Sequence, residues 1–198
     1  MSVDGDGPTP SVASSTEQAK NIWVELLRNG LTFDLAGLNP GVACAFPEPE
    51  HIFDLERIPG KAQFESICLM PGKHLSGGEN SMPVVSGLMA LARDIAHHFE
   101  DLVAIIWPPA RSAIGRRFFE SVVTAWEEGG PFPALGLTAF RETVDGALQS
   151  VGLQFWIGQE LRIEQPLAAD KVNATRIGAR LVNQLILMGG IEGSELAI

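Results

Sequence analysis

Tyrosine is absent from this 198-residue chain, cysteine occurs only twice and histidine four times. The missing tyrosine removes a common acid–base and binding side chain. Cys44 and Cys68 lack the Cys-x-x-Cys spacing of a zinc site or redox pair. Each lies among apolar neighbours and reads as a small buried hydrophobe. Basic residues are also scarce, 14 against 24 acidic ones, giving a net charge of −10 and a pI near 4.8. That balance argues against a nucleic-acid backbone or an anionic membrane surface as partner. Apolar runs stay far below the ~18 residues of a membrane span. Met1 to Pro10 has acidic residues and no apolar core, unlike a signal peptide. The expectation is a soluble, cytoplasmic protein with no nucleic-acid or membrane partner.

What is present suits a globular chain, with 45% hydrophobic and 19% charged residues. Residues 1–14, rich in Gly, Pro, Ser and Asp, are expected to form a disordered tail. Residues 15–190 are expected to form one α+β domain, and 191–198 a frayed end. The central stretch is Asp101 to Glu128, an apolar run through Leu102–Trp107 broken by Pro108-Pro109. Helical spacing follows from Ala110 to Glu128.

Taken in order, Ile22, Trp23, Leu26 and Leu27 share a helical face after Thr16, with Asn29-Gly30 as the stop. Leu31–Leu35 reads as a strand, Val42–Phe46 as a short apolar run and Pro47–Gly60 as an acidic surface excursion. Gln63–Met70 is the next strand, and Met82–Phe99 a helix with Val85, Leu88, Met89, Ala92, Ile95, Ala96 and Phe99 buried. With strand 101–107 this predicts a parallel βαβ crossover. Phe132–Phe140 and Gln149–Ile163 read as an antiparallel pair, with Gly158 marking a bulge or a close backbone approach. A last helix over 168–188 presents Val172, Ile177, Leu181, Leu185 and Met188. Gly178 inside it costs roughly 1 kcal/mol against alanine and calls for close contact with another element. The expected architecture is a mixed sheet of five or six strands, with helices packed mainly on one face.

Candidate chemistry is sparse. The Lys73–Asn80 loop precedes a helix, but Gly77-Gly78 fits no phosphate-binding fingerprint and Glu79 would repel an anion. His97 and His98 point about 100° apart on a helix and cannot readily share a metal. Asp94, one turn earlier, could orient His98. Arg111, Arg116 and Arg117 form the one basic concentration, near the carboxyl end of strand 101–107, where α/β sheets tend to place ligands. Glu160 and Glu164 fall on one strand face without a specified partner. Gly-x-Ser-x-Gly and His-Glu-x-x-His are both missing. No catalytic residue, metal set or cofactor is expected.

Strand Leu102–Trp107, the helix through Phe118-Phe119, Pro133–Leu137 and the segment Gly152–Leu161 come in a suggestive order. In that order residues 72–188 resemble an uncharacterised bacterial family known only as a domain of unknown function. The resemblance implies no activity, and it singles out Gly158 and Glu160 for testing. The expected function is a non-catalytic binding or protein-interaction domain, its partner a second copy or another protein. The alternative is a protein or enzyme acting on an anionic metabolite. Its cleft would lie near Trp107, Arg111 and the Lys73–Asn80 loop, with His74 and Glu160 as further ligand-binding candidates.

Overall fold

The computed structural model describes residues 22–56 and 64–190. The expected tails, 1–14 and 191–198, lie outside them. The class is α+β, with five helices and nine strands among the described residues. The strands do not form one mixed sheet; they divide into three sheets of three strands each.

The first sheet begins where a helix was expected. Trp23–Arg28 is β1, paired antiparallel with β2 (Leu31–Ala36) and joined to it by Asn29 and Gly30 alone. Both loop residues have positive φ, 51° and 78°, as the tight turn matching strand twist requires. Asn-Gly is therefore a hairpin turn and not a helix stop. The expected helix start, Thr16, lies outside the described residues. β2 also pairs antiparallel with β4 (Cys68–Pro71). Strand alternation turns Phe33, Leu35 and Leu69 inward and leaves Trp23, Leu27 and Met70 exposed.

After β4 a single 3-10 turn at Lys73–Leu75 leads to α1 (Met82–His98), with Pro83 in its first turn. α1 packs on the inner face of the first sheet: a Cβ on Gly87 would lie 3.1 Å from Phe33 Cζ. Val85, Leu88, Met89 and Ala96 of the expected stripe are buried.

The second sheet holds β3 (His51–Phe53), β5 (Ala104–Trp107) and β6 (Ser112–Gly115) in the order β3-β6-β5. β3 is a strand inside the expected Pro47–Gly60 excursion, and it pairs in parallel with β6. β6 occupies the first turn of the helix expected from Ala110. The Pro108–Ala110 3-10 turn and Arg111, at φ 51°, reverse the chain so that β6 runs back along β5. α2 (Arg116–Glu127) begins only after β6, with Phe119 and Val123 at its buried centre. β4 and β5 therefore belong to different sheets, and the parallel pair expected around α1 does not form.

The third sheet contains β7 (Ala139–Glu142), β8 (Leu148–Val151) and β9 (Arg162–Ile163), all antiparallel. The expected antiparallel pairing appears as β7–β8, turned at Asp145-Gly146. Its segments are interrupted: α3 (Ala134–Leu137) is one turn distorted at Gly136, and α4 (Leu153–Ile157) replaces the middle of the expected strand 149–163. Gly158 is no bulge, because it ends α4 at φ 74°. α5 (Lys171–Met188) is capped by Asp170, which accepts from the Asn173 N–H. Its buried residues are Ala174, Gly178, Val182 and Ile186, one step out of phase with the expected stripe, and Val172 and Met188 are exposed. A Cβ on Gly178 would lie 2.6 Å from Phe140 Cε1, which is the close contact the helix interior called for.

Candidate functional site

The four residues singled out from sequence fall in separate surroundings. His74 sits in the 3-10 turn, with Nδ1 3.2 Å from Thr32 Oγ1. Trp107 ends β5 and is buried, donating from Nε1 to the Leu137 carbonyl at 3.0 Å. Arg111 is half exposed and ion-paired with Glu50. Glu160 accepts from the Gly152 N–H at 2.9 Å, the Gln154 N–H at 3.2 Å and the Ser150 hydroxyl. This carboxylate closes the turn at the start of α4, where its charge faces unpaired helix N–H groups. Glu164 pairs with Arg162 instead. Asn80, at the end of the glycine-rich loop, reaches the Phe155 carbonyl of α4 at 3.4 Å. The space beside Trp107 is filled by α4: Phe155 lies 5.3 Å away between ring centroids and Trp156 6.0 Å.

His98 is oriented by the backbone of Asp94, Nδ1 lying 2.7 Å from its carbonyl oxygen, and not by the carboxylate. That carboxylate takes Arg28 at 2.5 Å and Arg93 at 2.6 Å, and both arginines continue to Glu127. Burial opposes the charged form of Asp94, yet hydrogen bonds and charge from Arg93 and Arg28 hold its carboxyl below the usual range. His51 is shifted down by burial, which outweighs the neighbouring Glu50. An open depression of about 600 Å³ lies between α1 and α2 among Arg93, Asp94, His97, His98, Arg117 and Glu120. Its mixed charges select no ligand class. Among the described residues no cluster of His, Cys, Asp and Glu suits a metal ion.

A second cavity, of about 430 Å³, has a clearer character. It runs between β4 and β5, with residues 64–70 forming one wall and 101–108 the other. Leu88, Met89, Ala92 and Ile95 of α1 form the floor, and Ala45, Phe46 and Pro47 close part of the rim. β4 has β2 as its one strand neighbour and β5 has β6, so among the described residues both strands end their sheets here. Two sheet edges thus flank one apolar groove. An edge strand presents peptide N–H and C=O groups that a neighbouring extended backbone can pair. Phe64, Met70 and Val103 at the walls are each at least 40% exposed, more than a closed core would leave. Trp107 is the one sequence candidate that lines the groove. The others missed it because a groove between strands far apart in sequence has no local signature.

No family model, curated protein or solved structure matches this chain. Among the described residues, no helix is long and apolar enough to cross a membrane.

Proposed function

We propose that this chain is a non-catalytic binding domain that accepts an extended, apolar peptide segment in the groove between β4 and β5. The observation that carries the reading is the pair of sheet edges flanking an apolar floor. A strand laid there could pair its backbone on both sides, which is the logic of strand-addition recognition. Alternate side chains would face α1, so apolar residues at every second position are the expected preference. Glu65 and Asp101 are the acidic residues at the walls, and they favour a segment with basic flanks. The anionic-metabolite alternative has less support. Arg111 is paired with Glu50, Glu160 is committed to the α4 turn, and the polar atom of Trp107 is bonded within the fold.

The test is selection from a displayed library of random peptides, followed by two changes. Methylating alternate backbone nitrogens of a selected peptide should weaken it by at least about tenfold, or 1.4 kcal/mol. Ala92→Trp, which fills the groove floor, should do the same while leaving the fold unchanged by circular dichroism. Binding indifferent to both changes would sink the proposal. Binding sensitive only to Ala92→Trp would replace it with an apolar small-molecule or side-chain pocket.

A further inference from the structure

Cys44 and Cys68 come from different parts of the chain, and the first sheet brings them together. Cys68 opens β4 opposite Ala36 of β2. The next residue of β2's chain, Gly37, lies directly under Cys44: a Cβ there would be 2.9 Å from Cys44 Sγ and 2.7 Å from the Ser66 carbonyl oxygen. Cys44 is in turn strapped to Ser66, two residues before Cys68. Its N–H donates to the Ser66 carbonyl at 2.9 Å, and its own carbonyl accepts from the Ser66 hydroxyl. Both thiols are free and only partly buried.

We propose that Cys44 and Cys68 are a reversible dithiol–disulfide pair, oxidised by a small-molecule disulfide. One protein thiolate attacks a sulfur of the oxidant, forms a mixed disulfide and expels one small thiolate. The second protein thiolate then attacks the protein sulfur of that mixed disulfide and expels the other. The protein loses two protons and two electrons, and the oxidant leaves as two thiols. Burial, and then the neighbouring Cys44 thiol, push Cys68 up to about 11 from an ordinary 9.0. A thiol of that kind is a slow attacker in solution.

The bond would tie residues 44–47 to β4. Cys68 and Ala45–Pro47 line the groove, so oxidation would fix that end of it. Any effect on peptide binding rests on the function proposed above, whereas disulfide formation does not. The test therefore reads the bond itself. Reduced full-length protein is equilibrated with excess oxidised glutathione, blocked with N-ethylmaleimide and weighed intact. The expected product has lost two hydrogens, carries no label, and yields one crosslinked Cys44–Cys68 peptide on non-reducing digestion. Cys44→Ser and Cys68→Ser should each retain a single labelled or glutathionylated thiol. Wild-type protein that is labelled twice, carries two glutathiones, or crosslinks between molecules would overturn the proposal.

Discussion

The first sheet and the aromatic region around α4 are built on opposite principles. Around α4, Trp107, Trp126, Phe132, Phe155 and Trp156 contact one another edge-on or tilted, the closest pair being Phe132 and Trp156 at 4.8 Å. Leu137, Leu153 and Val182 are fully enclosed in the same core. The first sheet buries Phe33 and Leu35 and leaves Trp23, Leu27 and Met70 substantially exposed. Its link to the helices includes the ionic chain Arg28, Asp94, Arg93 and Glu127. One region is held by shape, which tolerates no insertion. The other is held partly by charge, which solvent conditions can weaken.

The sharpest way to break the contrast is at Gly152. Its φ is +92°, and a Cβ there would lie 2.8 Å from Ala110 Cα. Gly152→Val should cost roughly 4 kcal/mol, since backbone strain and overpacking add, read as a lowered urea midpoint. A loss under about 1 kcal/mol would mean that α4 is not packed against the Pro108–Ala110 turn. Glu160→Ala comes next. It strips acceptors from the Gly152 and Gln154 N–H groups and should cost about 2 kcal/mol. Hydrogen exchange should report faster exchange in residues 152–154 before any in α1.

The smallest effect belongs to the ionic link. The Asp94 carboxyl is held below its ordinary 3.8, so the folded state binds its proton less readily than the unfolded chain does. The stability it contributes is present above 3.8 and is lost as pH falls through the lower folded value. Arg28→Ala should cost about 0.5 to 1 kcal/mol at neutral pH and low salt, the range of exposed ion pairs. The difference from wild type should shrink in 1 M salt, or as pH falls below 3.8 and the Asp94 carboxylate takes up its proton. A difference unchanged by salt and acid would assign the role of Arg28 to packing.

The sequence was most readable where local pattern and tertiary environment agree. α1 and β2 match their expected spans closely, and the Asp145-Gly146 turn does join an antiparallel pair. Trp23 to Leu27 failed because apolar pairs four residues apart satisfy a helix face, while the stronger signal was the Asn29-Gly30 turn itself. β6 was hidden because Ser112-Ala113-Ile114-Gly115 is too short to interrupt helical spacing. α4 was hidden for the converse reason: Leu-Gln-Phe-Trp-Ile favours strands, and its helical turn depends on the Glu160 carboxylate and positive-φ glycines at either end. The α5 stripe was one residue out because the small residues Ala174 and Gly178 face the core with Val182 and Ile186, which leaves Ile177 and Leu185 partly buried at its edge and Val172 and Met188 exposed. Of the candidate site, Trp107 alone was legible as part of the groove. The meeting of Cys44 with Cys68 depends on how β2, β4 and the 44–47 segment are threaded, which no local spacing encodes.

β3 lies between β2 and β4 along the chain, yet it hydrogen-bonds to β6 in the other sheet. The polypeptide thus leaves the first sheet, contributes a strand to the second, returns for β4 and leaves again for β5. No single cut can divide the first two sheets into separately expressed fragments. A truncation after α1 would strand β3 without its partner, and one before β4 would strip the first sheet of an edge. Fragment boundaries for deletion work therefore have to keep residues 23–115 together.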